Sequence, residues 1–148
     1  PTSFSLSVHN SIVGLYSMAR QDTAATTVIA AGSDTLPQAL IEAAGCLHRQ
    51  HPEVLLVYAD DELPADYAAD LEQSQPCIAL ALLLRADKTP LRLQVSYTPQ
   101  ESDAPNKAAT THALNHPAAG LLDLLQNRKK TAAHCSTDRY LWQFECHG

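Results

Sequence analysis

The sequence predicts a layered α/β domain with a mixed sheet. Three observations carry this reading. Apolar and β-branched runs of strand length recur along the chain, segments with helical apolar spacing lie among them, and the composition can bury a core. Of the 148 residues, 45% are hydrophobic and 18% charged, which is globular and not disordered usage. That length fits a single compact domain over residues 1–148 and does not require two.

Residues 10–20 (NSIVGLYSMAR) are apolar around most of a helical circumference, with Asn10 or Ser11 available as a cap. A helix with so little polar face is expected to be buried, in the domain or against a partner. Thr26–Ala31 (TTVIAA) is a β-branched run that reads as a buried strand. Gly32-Ser33-Asp34 then makes a turn, and a helix runs from Thr35 to residue 50 with Leu36, Leu40, Ala43, Ala44 and Leu47 at helical spacing. Thr35 and Gln38 have capping-box spacing, and Pro37 falls in the first turn, where its missing N–H costs little. His51-Pro52 stops that helix. Residues 53–59 (EVLLVYA) are continuously apolar, as in a strand covered on both faces. Strand 26–31, helix 35–50 and strand 53–59 together read as a βαβ unit, with parallel strands and a right-handed crossover.

The acidic, proline-broken segment 60–75 reads as a surface connection. Cys77–Arg85 (CIALALLLR) and Leu91–Tyr97 (LRLQVSY) follow as strands, and the intervening ADKTP suggests an antiparallel hairpin. Residues 98–116 are polar and contain proline, so a loop is expected. Pro117–Asn127 reads as a helix with Asn115 as its cap and Leu121, Leu122, Leu124 and Leu125 as its apolar face. Arg139–Glu145 (RYLWQFE) alternates, placing Tyr140, Trp142 and Phe144 on one face of a strand. No internal repeat is present.

Charge and composition exclude several classes. The formal net charge is −6, which repels phosphate backbones and argues against nucleic acid. Arg128, Lys129 and Lys130 are read as cations at a helix C-terminus. No apolar run approaches the roughly 20 residues needed to span a bilayer, and no charged-then-apolar signal segment opens the chain. The sequence begins abruptly at Pro1-Thr2-Ser3-Phe4, without an initiator Met, so upstream residues are expected to be missing. Cys46, Cys77, Cys135 and Cys146 form no dense framework, which fits a reducing cytoplasm better than a secreted setting.

The strand–turn–helix at 27–40 is the most chemically suggestive segment. Its turn holds Ser33 at a helix N-terminus, where backbone N–H groups and the helix dipole can stabilise a negative oxygen. Ser-Asp-Thr before a helix is also ordinary capping chemistry. His134-Cys135 and Cys146-His147 supply zinc-type ligands, but ten intervening residues in a strand hold them about 30 Å apart unless the chain folds back. No metal and no cofactor is therefore expected. Asp60, Asp61 and Glu62 follow a strand end where α/β proteins often bind ligands, and are read as a solvated loop.

The stretch PTSFSLSVHNSIVGLYSMARQDTAATTVIAAGSDTLPQALIEAAG resembles the region of β-ketoacyl synthases that leads into their active-site cysteine. Those enzymes carry an Asn and a Gly four apart on a buried helix, and Asn10 and Gly14 match that pair. Aligned without a gap, Ser33 falls at the family's cysteine. VLLVYADDELP and PCIALALLLRADKTPLRLQVSY resemble the later strand and hairpin, so the likeness covers roughly residues 1–97 and, more weakly, the last strand. SFSLSVHN, which includes His9, is the more specific motif. It is similar to that of ketosynthase-like N-terminal-domain proteins associated with aryl-polyene and related type II fatty-acid-like pathways. The resemblance implies a thiolase-like half-fold.

The departures set the functional expectation. Decarboxylative condensation uses a thiolate, which a serine hydroxyl does not replace without a positioned base. The family's two catalytic histidines lie in a C-terminal half that this stretch does not contain. His9 is read as a buried, hydrogen-bonded structural residue. The resemblance therefore implies a non-catalytic subunit, acting with a synthase or an acyl carrier protein and pairing through helix 10–20 and strand 26–31. Two readings stay open beside it: a serine-dependent acyltransferase or hydrolase using Ser33, and an unrelated small α/β binding module. Acyl substrate and chain length are not encoded legibly.

Overall fold

A computed structural model describes residues 8–47, 52–61, 77–87, 91–100, 116–127 and 129–148. Asn115, Glu62, Arg128, the first residues of SFSLSVHN and most of segments 60–75 and 98–116 lie outside these ranges. The chain divides into two compact units, Pro1–Gly32 and Ser33–Gly148.

In the first unit, helix α1 spans Ser11–Arg20. Asn10 occupies the cap position without a side-chain cap, and the turn before it closes through Ser11 N–H to Val8 O at 3.0 Å. The helix ends at Gln21, which adopts left-handed φ 52°. Gln21 N–H then donates to Met18 O and Asp22 N–H to Ser17 O, which satisfies two of the last carbonyls. Of the two forms of burial expected, the one within the domain is not found: α1 has no buried residue, with Ile12 76% and Met18 70% exposed. Its apolar residues surround the axis, and the described residues of the unit supply no second helix or strand to pack on them. The strand expected at Thr26–Ala31 is also absent, because β-branched residues favour extended backbone but no described strand offers them a ladder.

The second unit opens with a 3-10 turn at Gly32–Asp34, Gly32 taking φ 60°, and continues directly into α2, Thr35–Cys46. The expected cap is displaced by one residue, since Asp34 and not Thr35 precedes the helix. Leu36, Leu40 and Ala43 are buried as the spacing predicts, Pro37 joins them, and Ala44, expected on the same face, is exposed. Strand β1, Glu53–Asp60, pairs antiparallel with β2, Ile78–Arg85, from Glu53↔Arg85 to Asp60↔Ile78. Strand β3, Arg92–Pro99, pairs antiparallel with β5, Tyr140–His147, which also pairs antiparallel with β4, Ala132–Ser136. Helix α3, Pro117–Gln126, precedes β4.

Two pairings differ from expectation. Among the described residues, strand 53–59 has no parallel partner, and 77–85 does not pair with 91–97. The side-chain patterns explain the sorting. β1 and β2 are apolar on both faces, so Leu55 meets Leu83 and Leu56 meets Leu82. β3 and β5 instead alternate polar and apolar residues, and pair with Val95 opposite Phe144 and Tyr97 opposite Trp142. The result is α/β, with both sheets antiparallel and, in the second unit, helices α2 and α3 packed against them. β4 had no alternation to reveal it, and is formed because Thr137-Asp138-Arg139 turns the chain back along β5.

The core gathers Leu36, Leu40 and Ala43 from α2, Ala118, Leu121 and Leu124 from α3, and Leu56, Leu80, Cys135, Trp142 and Phe144 from the strands. Trp142 and Phe144 are fully buried, as the alternation predicts. Replacing Phe144 with Ala should destabilise the protein by about 3–5 kcal/mol, because the cavity cannot collapse between two sheets and two helices. Denaturant unfolding of the Phe144→Ala variant measures this; a loss below about 1 kcal/mol would place Phe144 outside the cooperative core.

Candidate functional site

The turn that carries Ser33 is fixed by its neighbour. Asp34 is 1% exposed, yet its carboxylate is fully engaged. Oδ1 accepts from Thr137 Oγ1 at 2.6 Å and from Trp142 Nε1 at 2.7 Å. Oδ2 accepts from Arg139 Nε at 2.9 Å and Nη2 at 2.8 Å. Burial alone pushes the Asp34 carboxyl upward, but the hydrogen bonds from Thr137, Trp142 and Arg139, with the Arg139 charge, outweigh it and hold the group below the usual carboxylate range. Because both oxygens point at the β4–β5 turn, Asp34 gives no side-chain cap to α2.

Ser33 itself is exposed and, among the described residues, its hydroxyl meets no histidine or other base. The helix N-terminus beside it favours negative charge, whereas the Asp34 carboxylate is one residue away. Cysteine chemistry is not assembled here either. Burial, with a contribution from Asp34, pushes the Cys135 thiol up to about 11, and burial raises Cys146. Cys46 and Cys77 are exposed.

His9, Asn10 and Gly14 line one open depression of about 330 Å³ in the first unit, together with Ser17, Thr26 and Val28. Gly14 N–H donates to Asn10 O at 3.1 Å, so the pair sits one helical turn apart on one face. His9 is exposed and makes no hydrogen bond among the described residues, in place of the buried, bonded role expected of it. Among the described residues of this unit none is buried, so none encloses the ring. A Cβ at Gly14 would meet nothing within 4 Å, so local packing does not demand glycine there. A larger apolar groove of about 1010 Å³ lies in the second unit, between Leu40 and Ile41 of α2, Leu82 and Leu84 of β2, and Leu93 and Val95 of β3.

The chain does fold back between His134-Cys135 and Cys146-His147, but the pairs land on different rungs. Cys135 faces Trp142, while Cys146 N–H bonds Thr131 O. No group of three or more metal-ligating side chains occurs among the described residues.

One constellation escaped the sequence. Asp60 ends β1 beside Tyr58, and Tyr58 Oη donates to Asp60 Oδ2 at 3.1 Å. His116 Nε2 lies 3.2 Å from the same oxygen and 3.3 Å from Tyr58 Oη. Burial, then the Asp60 charge and hydrogen bond, push the Tyr58 phenol well above its ordinary range. Tyr58 and Asp60 share a strand face by their spacing of two, which was readable; His116 stands 56 residues from Asp60 and gave no local signal.

Comparison with known proteins follows from this geometry. The sequence model described as "Beta-ketoacyl synthase, N-terminal domain" matches residues 1–145. The chain belongs to this family. No curated protein and no solved structure matched. The α/β architecture of this β-ketoacyl synthase domain is consistent with a thiolase-like half-fold. No helix among its described residues is long and apolar enough to cross a membrane.

In this β-ketoacyl synthase domain, Asp34→Asn keeps one acceptor oxygen and loses the charge that Arg139, Thr137 and Trp142 address. A loss of roughly 2–4 kcal/mol is expected from unfolding curves. The sign with pH follows from the lowered carboxyl: its stabilisation is present above about pH 4 and disappears as pH falls through the folded-state value. Acid titration of stability should therefore be steeper in the native protein than in Asp34→Asn; equal slopes would remove Asp34 from the acid response.

Proposed function

We propose that residues 1–148 act as one β-ketoacyl synthase-like domain that does not itself perform condensation, and that works with a synthase or an acyl carrier protein. The observation carrying this reading is Ser33. It stands where the family's cysteine aligns, as an exposed hydroxyl with no described base in contact. A hydroxyl needs that base to become a nucleophile, and a thiolate largely does not. Asp34 cannot serve, because all its acceptor directions are taken by Thr137, Trp142 and Arg139. The same turn is nonetheless held rigidly, which suits a retained scaffold more than an active centre.

The family match over residues 1–145 supports a place in fatty-acid- or polyketide-like biosynthesis. The SFSLSVHN stretch, with His9, Asn10 and Gly14, narrows the proposal to aryl-polyene-type pathways in a bacterial cytoplasm. The exposed apolar residues of α1, Ile12, Leu15, Tyr16 and Met18, support pairing through that helix. No metal or cofactor enters this role.

Two measurements test it. Pull-down of the full-length protein from its own cells, read by mass spectrometry, should recover a ketosynthase or an acyl carrier protein. Recovery of neither from a folded bait overturns the partnership. In the reconstituted pair, Ser33→Ala should change condensation by less than about twofold, whereas a loss beyond about a thousandfold would make Ser33 the nucleophile.

A further inference from the structure

The neutral His116 ring is used completely. It stands immediately before Pro117, and its Nδ1 accepts from Ala118 N–H at 3.2 Å, capping α3. An accepting Nδ1 places the proton of the neutral ring on Nε2. That N–H faces Asp60 Oδ2 at 3.2 Å, with Tyr58 Oη alongside. His116 is 7% exposed and Ala118 fully buried, so water does not readily replace either contact.

A second proton can enter only at Nδ1, where it would point at the Ala118 N–H. The cap must then break, and the cation would sit at the positive end of the α3 dipole. The same charge strengthens the attraction to Asp60, whose side chain is 39% exposed. Protonation thus exchanges one bond for another without freeing the ring. We propose that His116 is a protonation-controlled cap: neutral, it holds the first turn of α3; protonated, it releases that turn and stays tethered to β1.

The groups facing the ring are Tyr58 and Asp60, both from β1. Other charges on α3 and the elements around it are engaged elsewhere: Asp123 of α3 with Lys130, Asp34 with Arg139, Glu53 with Arg85, and Glu145 of β5 with His147. Among the described residues no further ionisable side chain bonds His116.

Amide exchange of the full-length protein, resolved by NMR and corrected for intrinsic rates, tests this directly. Ala118 is the reporter, since its N–H bonds the ring, whereas Ala119 and Gly120 donate to the His116 carbonyl. Protection of Ala118 should fall about fivefold from about pH 8 to about pH 5, the ratio corresponding to one lost cap. In His116→Asn, an amide oxygen replaces Nδ1 and the protection should stay flat across that range. A flat native profile overturns the proposal, as does an equal fall in His116→Asn.

Discussion

One buried carboxylate ties the start of α2 to the β4–β5 hairpin in the second unit. Asp34 receives donors from Thr137, Arg139 and Trp142, residues 103 to 108 positions away in sequence. A charge taken out of water is costly unless its acceptor sites are filled, and here three side chains fill them. The cost of leaving Trp142 Nε1 unpaired in the core makes the arrangement mutual. The start of α2 and the tip of the β4–β5 hairpin are consequently positioned by the same atoms. Hydrophobic packing around Trp142 and Phe144 supplies the bulk of the driving force, but it is indifferent to small rotations. The carboxylate is what selects one of them.

This bears on the proposed role, in which a synthase-like fold is kept without the condensation step. Ser33 belongs to a turn whose geometry is enforced from its neighbour, so the turn survives whatever the hydroxyl does. The proposed partner role requires only that the surface keep its shape. In that sense Asp34 separates the scaffold's requirements from the reaction's.

How much of this was legible depended on whether a feature was local. Helices α1, α2 and α3 and strand β5 follow from periodicity, within a few residues at their ends. Trp142 and Phe144 were readable as core because alternation fixes a strand's faces. Pairing was not local. The hairpin expected from Cys77–Arg85 and Leu91–Tyr97 was inferred from their proximity in sequence, whereas β2 chose a partner with its own two-faced apolar pattern. Thr26–Ala31 had strand propensity and no described ladder to join. The turn around Ser33 was placed correctly, yet the role of Asp34 was not legible: it read as one residue of the turn, with the cap expected at Thr35, and is instead the anchor. His116 was hidden in a polar stretch whose composition suggests only a loop. Buried polar groups that meet across half the chain leave no periodic trace.

The two-faced character of β1 and β2 has a consequence for folding fidelity. In most strand pairs, sliding by one residue turns apolar groups to water, and that penalty fixes alignment. Here Leu55, Val57 and Leu83 already face outward, so the penalty is weakened. Alignment must be set by polar markers at the ends. Glu53 and Arg85, 2.7 Å apart, provide one at the first rung, and Asp60 with its Tyr58 and His116 contacts provides the other at the last. Each marker is modest alone, but they sit at opposite ends of an eight-residue ladder. A slipped ladder would disengage both at once, so the two polar ends act as a vernier for an otherwise featureless pair of strands.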